Sequence, residues 1–176
     1  MTIAGCGPEL GESIQSPVVV FHLVLHAPEI PNNTGTIGRT AVATGCRLHL
    51  IRPLGFDLAE KSLRRAGLDY WADVDLRIHD SWGAFLDTET PERLWACTAR
   101  GTRPVWSAVL ADGDYVLFGG ESDGLPEFVR DDVAERWGDA AFITLPQVEG
   151  IRSLNLACAA TAVVFEALRQ QAATGD

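Results

Sequence analysis

Several things are missing from this 176-residue chain, and each absence removes a class of function. Its four cysteines, Cys6, Cys46, Cys97 and Cys158, are far apart and form no C-x-x-C pair, so neither a zinc site nor a disulfide framework is expected. Reduced, mostly buried thiols are the simpler expectation. The four histidines, His22, His26, His49 and His79, lack metal-ligand spacing, and no metal is expected. His26, at a strand end, is the one least tied to a structural role. Cations are outnumbered: 14 Lys and Arg face 24 Asp and Glu, a net charge of -10, which argues against broad nonspecific binding to nucleic acid. The N-terminus lacks the basic segment and apolar run of a secretory signal. The uncharged run of the C-terminal helix, Leu154 to Phe165, falls short of the roughly 20 residues a bilayer span requires. These readings place the chain in the cytoplasm, away from membranes.

With 47% apolar and 22% charged residues, the composition is that of an ordinary globular protein with its own core. Residues 1–16, with Gly5, Gly7, Pro8 and Gly11 and no periodicity, read as an N-terminal extension, and 17–176 as a single domain. Val18 to Leu25 is a continuous apolar run, the pattern of a strand covered on both faces. Further strands are expected at Leu48–Ile51, Val74–Ile78, Leu94–Thr98, Tyr115–Phe118 and Ala141–Leu145. Helices are expected after a cap at Asn33 or Thr34 and closing at Gly45, from the capping-box variant Asp57–Glu60 to Gly67, after Ser81, around Glu127–Val133, and from Leu154 onward. The uncharged C-terminal helix reads as buried all round. Six strands alternating with helices predict a mainly parallel α/β sheet with helices on both faces.

Ligands of such sheets bind at the carboxyl ends of the strands. The unusual residues follow strands directly, at Pro28–Arg39, Thr98–Arg103, Gly119–Gly124 and Pro146–Asn155. The Gly119–Gly124 turn has neither G-x-G-x-x-G spacing nor the Lys and Ser or Thr of a phosphate loop. Its paired glycines still let backbone approach a ligand, and Glu121 can accept from hydroxyls or amines. No nucleophile elbow is present. Lys61, Arg64 and Arg65 form the only dense cationic group, which without other signs of a polyanion reads as a solvated helix face.

Three motifs together resemble the SPOUT superfamily of RNA methyltransferases: Pro31-Asn32-Asn33-Thr34-Gly35 leading to Arg39, Phe118-Gly119-Gly120-Glu121 with Gly124-Leu125-Pro126, and Leu145-Pro146 leading to Ser153-Leu154-Asn155-Leu156. His26–Pro31, Arg47–His49, Pro53–Phe56 and Leu63–Tyr70 resemble its short, single-domain members, which methylate the 2'-hydroxyl of the wobble cytidine or uridine of tRNA. Ala157 departs from that subgroup, where Ser is common, as does the loop Gln147–Ile151.

The resemblance implies a deep trefoil knot at the C-terminal end, S-adenosylmethionine held in the knot, and a homodimer in which two subunits build each site. It implies cofactor contacts around Cys97, Thr98, Gly119, Glu121, Leu145, Ser153 and Leu154. Arg39, Asn33, Ser153 and Asn155 would serve catalysis, and Arg39, Lys61, Arg64, Arg65 and Arg152 would contact tRNA. Arg39 could act as a general base, or orient phosphate and ribose hydroxyl for in-line attack. Guanidinium is essentially never deprotonated in proteins, which favours orientation. Methylation of another RNA, or a module that binds without turnover, are the alternative functions.

Overall fold

A computed structural model describes residues 21–57, 69–148, 150 and 153–174. Seven strands form one sheet: β1 (His22–His26), β2 (Arg47–Ile51), β3 (Leu76–His79), β4 (Leu94–Cys97), β5 (Arg103–Pro104), β6 (Tyr115–Phe118) and β7 (Phe142–Thr144). Their order is β3-β2-β1-β6-β4-β7-β5, and each pairing between them is parallel. The expected six strands are all present; the seventh, β5, is a two-residue edge strand within the stretch 99–104, which reads as a loop from sequence. Four α-helices are described: α1 (Pro31–Thr44), α2 (Trp82–Glu89), α3 (Glu127–Trp137) and α4 (Leu156–Thr174). The helix expected between Asp57 and Gly67 falls largely outside the described residues.

The central strands show why their runs are apolar throughout. In β1, Leu23 and Leu25 enter a core shared with Ile37 and Ala41 of α1 and with Ala160, Val163 and Val164 of α4. Val24 points the other way, into a second core with Phe85 of α2 and Val129 and Val133 of α3. Strand β6 repeats this, with Val116 and Phe118 on one face and Tyr115 and Leu117 on the other. Period-two alternation thus feeds two apolar layers, and no polar face is left over.

Two helices differ from expectation. Helix α1 begins at Pro31, whose missing N–H costs nothing in a first turn, and its cap Ile30 contributes no side-chain bond. The Asn33 or Thr34 cap expected from sequence is replaced by the distant carboxylate of Glu121. Helix α4 buries Ala157, Ala160, Val163, Val164 and Ala167, while Phe165 is 57% exposed, so the single chain covers only one side of its uncharged stretch. Gly45 ends α1 in the left-handed conformation, and Ser81 caps α2 by accepting from the Ala84 N–H, both as expected.

The second core contains a polar chain that spacing did not reveal. His22 Nδ1 lies 2.9 Å from His49 Nε2, and His49 Nδ1 lies 3.1 Å from His79 Nε2. The ring centroids are 5.2 and 5.4 Å apart with interplanar angles of 30° and 16°, so the rings meet edge to edge along N–H···N bonds. A neutral imidazole has one N–H and one lone pair, so His49 donates at one end and accepts at the other. Glu89 lies 3.7 Å from both His49 and His79, and Tyr115 donates to it. His22, His49 and Glu89 present donor atoms within 4.8 Å of one another, but the nitrogens of the two histidines face each other in a hydrogen bond.

Burial holds all three histidines in the neutral form, and with its neighbours' help brings His49 down to about 2. The unfolded chain takes up a proton at each below about pH 6.5, so it binds more protons than the folded one. Stability is therefore lost as pH falls through 6.5, by about 1.4 kcal/mol per pH unit for each histidine that stays neutral. The unfolding temperature should drop steeply between pH 7 and 5; a flat profile would contradict the neutral chain.

Candidate active site

The carboxyl ends of β1, β4, β6 and β7 all open on one side of the sheet. The segments that follow them enclose a cleft of about 770 Å³. Cys97 and Thr98 line it after β4, Gly119 and Glu121 after β6, Leu145 after β7, and Ser153 and Leu154 before α4. These are the seven residues expected around a cofactor, brought together from four separate stretches. Asn33 and Asn155 line the same cleft. Arg100 and Arg130 line it too; Arg130 stands in the helix expected around Glu127–Val133 and belongs to no motif that would mark it from sequence.

Gly119 is where the β6 turn is tightest. A Cβ there would lie 2.1 Å from the Gly124 carbonyl carbon and 2.3 Å from the Leu125 nitrogen, so only glycine lets the loop fold back on itself. Thr98 N–H donates to the Ile143 carbonyl at 2.9 Å, pinning the β4 exit beside β7. Leu145, Leu154 and Leu156 supply apolar surface to the cleft.

Glu121 has a more definite task than a free acceptor. Its Oε2 accepts from the Glu29 N–H at 2.8 Å, and its Oε1 from the Ile30 N–H at 3.3 Å and from Asn33 Nδ2 at 2.9 Å. A carboxylate at the start of α1 satisfies donors that have no partner inside the helix and complements the helix dipole. This long-range cap takes the place of the local one. Glu29 in turn accepts from the hydroxyl and amide of Ser122, which holds its carboxyl below the usual range.

Asn33 passes the connection on. Its Oδ1 accepts from Asn155 Nδ2 at 2.9 Å, and Asn155 Oδ1 accepts from the Ala157 N–H at 2.9 Å and the Cys158 N–H at 3.2 Å. Asn155 is thereby the N-cap of α4, and the β6 turn, α1 and α4 are joined by one line of hydrogen bonds. Asn155→Ala should lower stability by about 1–2 kcal/mol, measured by denaturant unfolding. An unchanged midpoint would contradict the cap.

Cys97 faces the cleft, yet burial pushes its thiol up to about 12. It stays protonated near neutrality and offers no thiolate nucleophile. Cys46 is buried as expected, but Cys158, one turn into α4, is exposed.

Arg39 is not among the residues lining the cleft. It is exposed on α1, with its guanidinium carbon 4.4 Å from the centre of the Tyr70 ring. Lys61, Arg64, Arg65 and Arg152 lie outside the described residues.

Comparison with known proteins gives this arrangement a family. The profile of the SpoU rRNA Methylase family matches residues 20–165. The chain belongs to that family. A tRNA (cytidine(34)-2'-O)-methyltransferase of Saccharophagus degradans is 44% identical over 161 residues, which cover 89% of this chain and 99% of the relative. A solved structure described as giving structural insights into the 2-OH methylation of C/U34 on tRNA is 47% identical, with a TM-score of 0.79, covering 91% of this chain and 100% of the other. The SpoU methyltransferase AviRb from Streptomyces viridochromogenes, in complex with AdoMet, is 25% identical with a TM-score of 0.71, covering 86% of this chain and 60% of AviRb. The SpoU motifs are thus carried here on the parallel α/β sheet expected from the sequence.

Proposed function

We propose that this SpoU protein transfers a methyl group from S-adenosylmethionine to the ribose 2'-hydroxyl of the wobble nucleotide, cytidine or uridine 34, of tRNA. The observation that carries the reading is the one cleft into which the exits of β4, β6 and β7 and the start of α4 bring Cys97, Thr98, Gly119, Glu121, Leu145, Ser153 and Leu154. The relatives named for this reaction, and the AdoMet complex of AviRb, support the same choice of cofactor and substrate.

The cleft's donors and shape suit the cofactor. The segments Cys97–Thr98, Gly119 and Leu145 line the cleft and would offer backbone groups to an adenine and an amino-acid group, and Leu145 and Leu154 can pack against the apolar part. Bound there, S-adenosylmethionine supplies an electrophilic methyl group on a sulfonium. The protein's part is placement: Ser153 and Asn155 line the cleft and in this reading would meet the ribose. Arg39 holds the phosphate and the 2'-hydroxyl in line, and holding two reactants in line can supply roughly 7–11 kcal/mol of a barrier. The protonated Cys97 does not compete for the methyl group.

Two subunits build each site in this reading. Arg39 does not line the cleft of its own chain, as expected if a partner's arginine completes it. Helices α1 and α4 pack together, with Thr40 and Thr161 hydroxyls 2.9 Å apart, and carry the exposed apolar side chains Val42 and Phe165, a surface suited to a second copy. The trefoil knot belongs to the same reading: β7, last of the strands, lies between β4 and β5 and not at an edge, so the chain enters the sheet between strands already formed. Lys61, Arg64, Arg65 and Arg152 would complete the tRNA surface. Among the described residues no helix is long and apolar enough to cross a membrane, and the reading places the enzyme in the cytoplasm with its tRNA.

Calorimetric titration with S-adenosylmethionine tests the cleft directly. One site per chain is expected, weakened by Gly119→Ala because the β6 turn must open. Binding unaffected by that substitution would overturn the assignment of the cleft.

A further inference from the structure

We propose that Tyr70 is a positioning residue for methyl transfer, fixing the guanidinium of Arg39 through its ring. The inference rests on the reaction proposed above, in which Arg39 orients the ribose and phosphate. An arginine on an exposed helix face has several rotatable bonds and would sample many positions. In this fold it has a platform. The Arg39 guanidinium carbon lies 4.4 Å from the Tyr70 ring centre, a cation–π distance.

The platform is itself fixed at two points. The Tyr70 hydroxyl donates to the Gly35 carbonyl at 2.7 Å, one turn before Arg39 on the same helix, so ring and guanidinium share a frame. Next to it, Trp71 packs against α1 at Gly38, where an added Cβ would lie 2.7 Å from the indole edge. The 3-10 turn Asp69–Asp73 is thus seated on the segment of α1 that carries Arg39. A tyrosine hydroxyl spent on a backbone carbonyl leaves the ring face as the part of the side chain offered to Arg39.

Single-turnover methylation should be measured for Tyr70→Phe, Tyr70→Leu, Arg39→Gln and the Arg39→Gln/Tyr70→Leu double variant, with cofactor affinity and thermal stability recorded for each. Losing a cation–π contact should slow Tyr70→Leu by roughly 2- to 30-fold with cofactor affinity unchanged. Tyr70→Phe keeps the ring and should retain more activity than Tyr70→Leu. In the Arg39→Gln background the leucine change should have no further effect, since its target is gone.

An undiminished effect of Tyr70→Leu in that background overturns the proposal. So does a rate equal to wild type, a phenylalanine variant as slow as the leucine one, or a loss of rate that tracks lost cofactor affinity or stability. A wild-type chain that methylates no tRNA, or an Arg39→Gln variant of normal rate, would instead remove the underlying reading of the reaction, and this proposal with it.

Discussion

Arg39→Lys should lower the single-turnover rate of methyl transfer by about 10²- to 10³-fold, the usual consequence of losing one well-placed charged donor. The charge is kept, but lysine lacks the planar fork that holds phosphate and hydroxyl together. Because the proposed role of Arg39 is to hold the phosphate and the 2'-hydroxyl and not the cofactor, cofactor affinity should be unchanged. The pH dependence separates the two roles open to this residue. If Arg39 orients, the rate falls uniformly and the profile keeps its shape; a general base would shift the profile, because a lysine gives up its proton at lower pH than a guanidinium. A shifted profile would therefore contradict the orienting role.

Phe165→Asp should dissociate the protein into folded, inactive monomers. Phe165 is already 57% exposed in the single chain, so the substitution leaves the core intact. In the proposed dimer it places an unpaired carboxylate in a buried apolar contact, at a cost of several kcal/mol. Sedimentation should show the monomer, circular dichroism an unchanged fold, and methylation should fall below detection, since neither monomer can borrow a second Arg39. A fully active monomer would show that one chain completes its own site, and would contradict a site shared between subunits.

What the sequence made legible was local. The apolar run of β1 is long enough, and bounded sharply enough, to read as a doubly covered strand, and the shorter runs of β2 and β6 read as strands. Gly45 and Ser81 announce helix ends because the groups they satisfy lie within a few residues. The resemblance to a family then located the cleft residues at four strand exits. What stayed hidden depends on partners distant in the chain. The start of α1 is capped by Glu121, which meets Asn33 across 88 residues, so no local pattern could replace the cap at Asn33 or Thr34 with one at Pro31. The chain of His22, His49 and His79 exists only because three parallel strands place those positions on one face, each two residues further along than the last: His22 is opposite Arg47 and His49 opposite Arg77. Helix α4 shows the opposite limit: its uncharged run signals that both sides need covering, and the pattern alone does not say what covers the side on which Phe165 is exposed.

These features act on the cleft together. Glu121, Asn33 and Asn155 tie the β6 turn to the starts of α1 and α4, so the walls of the cleft and the helices of the proposed dimer surface are held in one hydrogen-bonded frame. Disturbing either helix should therefore disturb the cleft.

The most direct test is methylation of total tRNA from cells lacking this protein, using S-adenosylmethionine labelled in its methyl group, followed by mapping of the modified nucleotide. The label should appear on the ribose 2'-oxygen of cytidine or uridine 34. Label on a base, on another nucleotide or on ribosomal RNA, or tight cofactor binding with no transfer to any RNA, would contradict wobble-ribose methylation.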